Sequence, residues 1–322
     1  MPALYHSFII SEKWLGCQGV TGEVVGMWYS VSMRIDGQDR EQGRRVACAL
    51  GLVLMTLSWP VLAHAWGLEA HVLINRAACT TLPEPLRRFF MRHQAFIGEH
   101  GKDPDTVLTA QKKEAERMHH WFELDGLDRF PFQGIPRDYE QALAKYGRQR
   151  LEGAGLLPWR IAALYRELVE TMQASDWERV PLVAAHLGHY VADGHQPLHT
   201  TTNYDGQLTG NPGIHKRFED EMVQRHLARY EDLAAFTHPA QRTGDSVAFT
   251  FDFLIDSYVW VDNLLRADTL ASQGIRGHGD AYYAALYVFA GRLAKLSMAQ
   301  AATDLGSLWY SAWIEAGQPR VP

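Results

Sequence analysis

Between Pro181 and Gly194 the chain sets Leu182, Val183, Ala184, Ala185, Leu187 and Val191 at helical spacing, and among them it places His189 and Asp193. A helix that is apolar on nearly every side must lie inside the fold. A carboxylate carried inward with it costs on the order of several kcal/mol unless a cation receives it. One segment therefore predicts both a helical core and a positive charge within that core. His189 and Asp193 stand four residues apart, so they leave one face of the helix and can share one ion.

Past residue 65 the sequence reads as helix almost throughout, with no alternating pattern of strand type. Gly67 to Ala78 predicts a short buried helix, stopped at Leu82-Pro83. Pro85 opens an amphipathic helix running to about Gly98, with Leu86, Phe89, Phe90 and Phe96 on its apolar face. Gln111 to Arg117 reads as polar helix, and Pro and Gly punctuation from Gly126 to Pro136 marks irregular chain. Tyr139 to Tyr146 and Leu157 to Met172 read as further helices. A glycine-rich loop, Asn203 to Gly213, leads into a helix from Ile214, and Phe249 to Leu265 and Ala281 to Trp313 read as packing helices. The expected fold class is all-α, a single compact multi-helix domain over residues 66–322.

Upstream, Arg44-Arg45 precede an apolar run from Val46 to Leu62, closed by Ala63-His64-Ala65. A small-x-small tripeptide after such a run is what signal peptidase reads. Residues 33–65 are therefore expected to be a signal peptide and residues 1–32 a non-native upstream extension. Cleavage between Ala65 and Trp66 would send the protein to the periplasm or out of the cell, free of any stable membrane anchor. It would also turn the Trp66 nitrogen into a free α-amine. Of the three cysteines only Cys79 lies past the cut, so no internal disulfide is expected. The formal net charge of −6 disfavours a protein that grips duplex nucleic acid through its phosphates. Phosphate chemistry would need a local positive source, such as bound metal.

His215 and Glu219 repeat the four-residue spacing. With 15 His and 37 acidic residues in 322, roughly 1.7 such pairs arise by accident, so the spacing alone signifies no more than an ion pair. Context adds weight. Six residues past Asp193 comes His199, held by the turn at Pro197; upstream, His120 follows the carboxylates of Asp103 and Asp105. Histidine and carboxylate ligands without cysteine suit zinc with open positions, and hence hydrolysis.

These elements resemble the superfamily that joins bacterial zinc-dependent phospholipase C with the single-strand-specific nucleases of the S-one and P-one type. The matching elements are Trp66-Gly67 with His71, Pro104-Asp105, His120-Trp121-Phe122-Glu123, His189-Tyr190-Val191-Ala192-Asp193, Gln196-Pro197-Leu198-His199, and His215 with Glu219. They extend from Trp66 to about Glu221. The resemblance implies three Zn2+ ions. Asp105, His120, His189 and Asp193 would hold one. The amine and carbonyl of Trp66 with His71 would hold the second, with Asp193 bridging the two. His199, His215 and Glu219 would hold the third. Asp103 is the alternative to Asp105, and His119, His186 and His195 are expected to serve packing or supporting roles.

The activity this implies is phosphoester hydrolysis by a zinc-bound hydroxide, with Asp105 and Asp193 as the catalytic carboxylates. Trp121, Glu123 and Tyr204 would meet the substrate. That substrate is expected to be single-stranded DNA or RNA, with 3′-nucleotidase activity. The alternative is a phospholipase C acting on phosphatidylcholine-type headgroups; a second alternative is an inactive, zinc-stabilised binding protein. The five-residue step from Trp66 to His71 and Gly210-Asn211 resemble the nuclease branch. Glu219 resembles the phospholipase branch, and Leu108 stands where the nucleases carry an arginine.

Overall fold

The computed structural model describes residues 66–112 and 114–322; the expected upstream extension, the signal segment and the bond after Ala65 lie outside those residues. Among the described residues there is helix, turn and coil and no β-strand, as the hydrophobic periodicity predicts. The principal helices are α1 Leu68–Thr81, α2 Leu86–Arg92, α3 Gln94–His100, α4 Tyr139–Tyr146, α5 Arg148–Ala154, α6 Leu157–Gln173, α7 Val180–Gly194, α8 Ser246–Tyr258, α9 Val261–Ala271 and α10 Asp280–Glu315. No helix among the described residues is long and apolar enough to cross a membrane.

The apolar segment that opened the sequence reading becomes α7, with Pro181 in its first turn, where a missing N–H costs nothing. It is buried from Val183 to Gly194 apart from the half-exposed His186. It packs against α1, α3, α6, α8 and α10, so its polar residues face protein, not water. Helix α10 is the spine on the other side: from Met298 to Leu308 it is buried almost throughout, and it runs along α1, α6, α7 and α9. Trp309, fully buried, stacks on Phe90 at 4.7 Å and donates its indole N–H to the Ala184 carbonyl at 3.3 Å. That contact ties α2, α7 and α10 together. Cys79 is a buried free thiol, its pKa pushed far up by burial, so it packs as a small apolar group.

Two expected helices are each broken in two. The segment from Pro85 to Gly98 divides at His93, whose imidazole engages the Phe89 carbonyl at 2.9 Å, the acceptor that the His93 N–H would use if the helix continued. The chain re-aims there, and Phe96 ends 43% exposed instead of in the core. The segment from Phe249 to Leu265 likewise breaks at Val259 and Trp260, which form an exposed corner between α8 and α9.

Candidate metal centre

The inner face of α7 brings His189 and Asp193 to one point, both with no solvent exposure. Helix α1 crosses α7 so closely that the rings of His71 and His189 stack at 4.0 Å and 16°. Gly188 permits this crossing: a Cβ there would lie 2.1 Å from Asn75 Oδ1. A π-helical turn, Pro104–Leu108, delivers Asp105, and the chain after Arg117 delivers His120. His215 lies on a short helical turn that continues into a second π-helical stretch, Arg217–Met222, carrying Glu219. Both π-helical stretches thus carry a carboxylate of the centre, in keeping with the tendency of such bulges to occur at functional sites.

The polar atoms converge into three groups: His71, His189 and Asp193; Asp105, His120 and His189; and His199, His215 and Glu219. In the first two, His71 Nε2 lies 3.6 Å from Asp193 Oδ1. His120 Nδ1 lies 3.0 Å from Asp193 Oδ2 and 3.6 Å from Asp105 Oδ1. His189 Nε2 lies 3.0 Å from His120 Nδ1, 3.4 Å from Asp193 Oδ2 and 3.7 Å from Asp105 Oδ1. In the third, His215 Nε2 is 2.9 Å from Glu219 Oε2 and 3.1 Å from His199 Nε2, and His199 Nε2 is 3.6 Å from the same carboxylate oxygen. Two ligands each ~2.0–2.1 Å from one ion at near-tetrahedral angles stand ~3.3 Å apart, and these separations bracket that value.

The donor set fits zinc on a further ground. His71 Nε2, Asp193 Oδ1 and Asp105 Oδ2 are buried and have no hydrogen-bond partner, a state that buried polar atoms rarely tolerate. Burial, then the charges of Asp105 and Glu219, pushes the Asp193 carboxyl well above its ordinary range. Asp105 is pushed up to about 8 by burial and by Glu219 and Glu116. Burial and neighbouring imidazoles hold His71, His120 and His189 well below their ordinary value. Without a cation the carboxylates resist ionising; a divalent ion reverses that preference and meets imidazoles already neutral. In the third group burial opposes both charges, yet Glu219 holds His215 above its ordinary value, and His215 with His199 holds Glu219 below its own.

Three of the five rings, those of His189, His199 and His215, are aimed by their other nitrogen. His189 Nδ1 meets the Gly101 carbonyl at 2.8 Å, His199 Nδ1 the His120 carbonyl at 2.7 Å and His215 Nδ1 the Tyr204 carbonyl at 3.1 Å. Such carbonyls fix the tautomer, leaving Nε2 free to take a metal. Gln196 supports the third group: its amide donates to Glu219 Oε2 at 2.7 Å, while its Oε1 accepts from Leu198 N at 2.7 Å. A second support lies behind the glycine-rich loop. Buried Arg217 bonds Asp268, Tyr282 and the Asn211 and Pro212 carbonyls, and Asp205 accepts from Gly213 N and His215 N. Nothing local in the sequence marks Arg217 and Asp268, 51 residues apart, as partners.

The remaining expected residues divide clearly. Trp66 is fully buried against Phe218, ring centroids 5.4 Å apart, and the next residue, Gly67, donates its N–H to the Glu219 carbonyl at 3.1 Å. Its main chain therefore runs beside the third group, just before the helix that carries His71. Asp103 is turned away from the cluster toward His100 at 2.7 Å and His186 at 3.5 Å, so Asp105 is the carboxylate that joins His120 and His189. His195 is spent on Asp304 Oδ2 and the Val191 carbonyl, and His119 faces Glu116. Trp121 and Glu123 lie on a segment tied to residues 199–202 by Phe122 N to the His199 carbonyl and by Asp125 to Thr201 and Thr202. Tyr204 follows on that partner segment, 44% exposed, its ring 6.2 Å from that of His215. No hydrogen bond, ion pair or ring contact joins Trp121, Glu123 and Tyr204 to one another.

No protein-family profile matches the sequence, and no curated protein matches it. Among solved structures, the Clostridium perfringens alpha-toxin from avian strain SWCP is similar at 11% identity and a TM-score of 0.47, over 79% of this chain and 65% of the toxin. The alpha toxin of Clostridium absonum is similar at 13% identity and a TM-score of 0.41, over 76% of this chain and 64% of the toxin. The chain thus spans just under two thirds of the length of either toxin, and neither likeness is close enough to carry function across.

Proposed function

We propose that this chain is a zinc-dependent hydrolase of phosphate esters. The observation that carries the reading is the convergence of seven buried imidazole and carboxylate side chains, with the half-buried Asp105, into three groups, two of which meet at His189. When bound, zinc supplies Lewis-acid polarisation of phosphoryl oxygens and acidifies water. The residues themselves hold and aim the reactants. Asp193, whose two oxygens face His71 and His120, ties the first two groups together. Asp105 Oδ2, with no other partner, is the acceptor that orients an attacking water and takes its proton. His199, His215 and Glu219 form a separate group that would hold an ion whose positive charge offsets that of the phosphate and the departing oxygen.

The surroundings of the centre favour a phospholipid headgroup as substrate. The loop beside the third group exposes Leu208 at 71% and Tyr204 at 44%, apolar surface suited to a lipid interface. Asn211, part of the nuclease-like Gly210-Asn211, spends its side-chain N–H groups on Asp268, Thr269 and the Leu265 carbonyl and has no donor left for a nucleotide. Trp121 offers a ring face to a quaternary ammonium, and Glu123, its carboxyl pushed up to about 7 by burial and by Asp125, offers a carboxylate that a bound cation would favour over the protonated form. Single-stranded nucleic acid is the second reading, carried by the half-exposed ring of Tyr204, a face on which a base can stack. The test is a panel run on one zinc-loaded preparation: phosphatidylcholine, single-stranded DNA, RNA and a 3′-nucleotide. Release of phosphocholine faster than any nucleotide product is expected. Faster nucleic-acid cleavage would overturn the lipid assignment, and inertness on all four would overturn the hydrolase.

A further inference from the structure

Away from the histidine clusters, a cavity of about 630 Å³ opens between α8, the start of α9 and the first half of α10. Its walls are aromatic and aliphatic: Phe236, Phe253, Trp260, Phe289 and Leu296. Four of them are large apolar groups left open to solvent, Phe236 at 44%, Trp260 at 46%, Phe289 at 50% and Leu296 at 47%. Val259 and Val288, beside Trp260 and Phe289 in the chain, are also exposed, at 47% and 76%. Apolar exposure gathered on one concavity marks a binding surface. Polar groups single out its ligand. Ser257 lines the cavity, is 6% exposed, and its hydroxyl has no hydrogen-bond partner. Arg292 and Asp256 also line it, and neither has an ion pair or hydrogen bond with another described residue. His195, on the cavity wall, has both ring nitrogens engaged, by the Val191 carbonyl and Asp304, so it is not free to activate Ser257.

An unpaired cation and an unpaired anion at an aromatic-walled slot match a zwitterion with an apolar tail. We propose that this cavity docks the protein on a zwitterionic phospholipid surface. One acyl chain enters between the aromatic walls, with the Ser257 hydroxyl donating to its ester carbonyl. The phosphate meets Arg292, and the quaternary amine meets Asp256 and the face of Trp260. The Val259-Trp260 corner sinks into the interface, where a tryptophan is at home. The choice of a lipid surface rests on the lipid reading of the metal centre, but docking is measurable without any hydrolysis.

The experiment is co-sedimentation of the purified zinc-loaded chain with phosphatidylcholine vesicles, with phosphocholine release followed in the same samples. Trp260→Ala with Phe289→Glu, and separately Arg292→Glu, change exposed positions and leave the core intact. The double variant is expected to bind vesicles about tenfold or more weakly and Arg292→Glu several-fold more weakly, while the zinc-loaded variants hydrolyse a water-soluble phosphocholine ester at the wild-type rate. Wild-type protein that ignores the vesicles, or variants that bind them as well as wild type, would overturn the proposal. Conversion from dimer to monomer in the double variant with vesicle binding unchanged would assign the cavity to a second copy and overturn it equally. Vesicle binding through the cavity without phospholipid hydrolysis would uphold the docking surface and reject the lipid reading of the metal centre.

Discussion

Replacing Asp193 with Asn should move stability in opposite directions with and without zinc. Asp193 has no exposure to water, and burial beside Asp105 and Glu219 holds its carboxyl well above the ordinary range. A group whose folded-state pKa is raised costs stability that is absent below its unfolded pKa and grows as pH rises. Asn keeps the shape and removes the ionisation. In chelator, therefore, Asp193→Asn should match wild type at pH 3.5, below the ordinary carboxyl value of 3.8, and be more stable by ~1–3 kcal/mol at pH 8. With zinc the order reverses. Saturation at a thousand times Kd contributes ~4 kcal/mol per ion, and Asp193 faces two groups, at 3.6 Å from His71 and 3.0 Å from His120. The variant should forfeit ~4–8 kcal/mol of that stabilisation, a difference in Tm of ~10 °C or more for a domain of this size. Calorimetry of both proteins at the two pH values, with chelator and with zinc, reads all four cases. An Asn variant that is less stable than wild type in chelator at pH 8, or that keeps the full zinc-dependent rise in Tm, would refute the reasoning.

Gly188→Ala should cost at least ~1–3 kcal/mol, because its Cβ would meet Asn75 Oδ1 at 2.1 Å and Leu305 at 2.7 Å; denaturant titration measures that loss, and a parallel zinc titration should find weaker binding as His71 parts from His189. Gly153→Ala in α5, with nothing within 4 Å, is the control and should gain ~0.5–1 kcal/mol. Burial raises the Glu116 carboxyl, but the His119 imidazole beside it, the hydrogen bond from Tyr190 and the charge of Arg160 outweigh it and bring the group down to about 2. Its stabilisation is thus present above its unfolded pKa of about 4.5 and is lost as pH falls toward 2. Glu116→Gln should flatten that part of an acid-denaturation curve, removing ~2 kcal/mol of its pH dependence. Protein that retains any residue before Trp66 should carry less zinc and little activity, since a peptide nitrogen does not readily take the place of an amine as a ligand; mass spectrometry paired with metal analysis checks both.

The pairs His189/Asp193 and His215/Glu219 were legible in the sequence because a helix turns a four-residue step into a shared face, and the structure closes both. The choice of Asp105 over Asp103 was not, because two carboxylates two residues apart differ only in which neighbour the turn presents them to. Nor was the meeting of His71 with His189, which depends on a helix crossing that Gly188 allows. The carbonyls of Gly101, His120 and Tyr204 that aim the imidazoles leave no mark on the sequence at all, since any residue supplies one. Periodicity extends the helix from Pro85 past His93 because it does not register a side chain, that of His93, competing for a backbone acceptor. The cavity walled by Trp260 and Phe289 escaped for a related reason: apolar residues at helical spacing read as core whether or not another element covers them.

The central claim is that zinc joins these three groups, and it meets its most direct test in a crystal of zinc-loaded protein beginning at Trp66, measured at the zinc absorption edge. Three anomalous peaks per chain are expected. One would lie among Asp105, His120, His189 and Asp193, one between His71, Asp193 and the Trp66 amine, and one among His199, His215 and Glu219, each ~2.0–2.2 Å from its ligand atoms. A map with no peak at these groups, or with zinc bound only elsewhere, would contradict it.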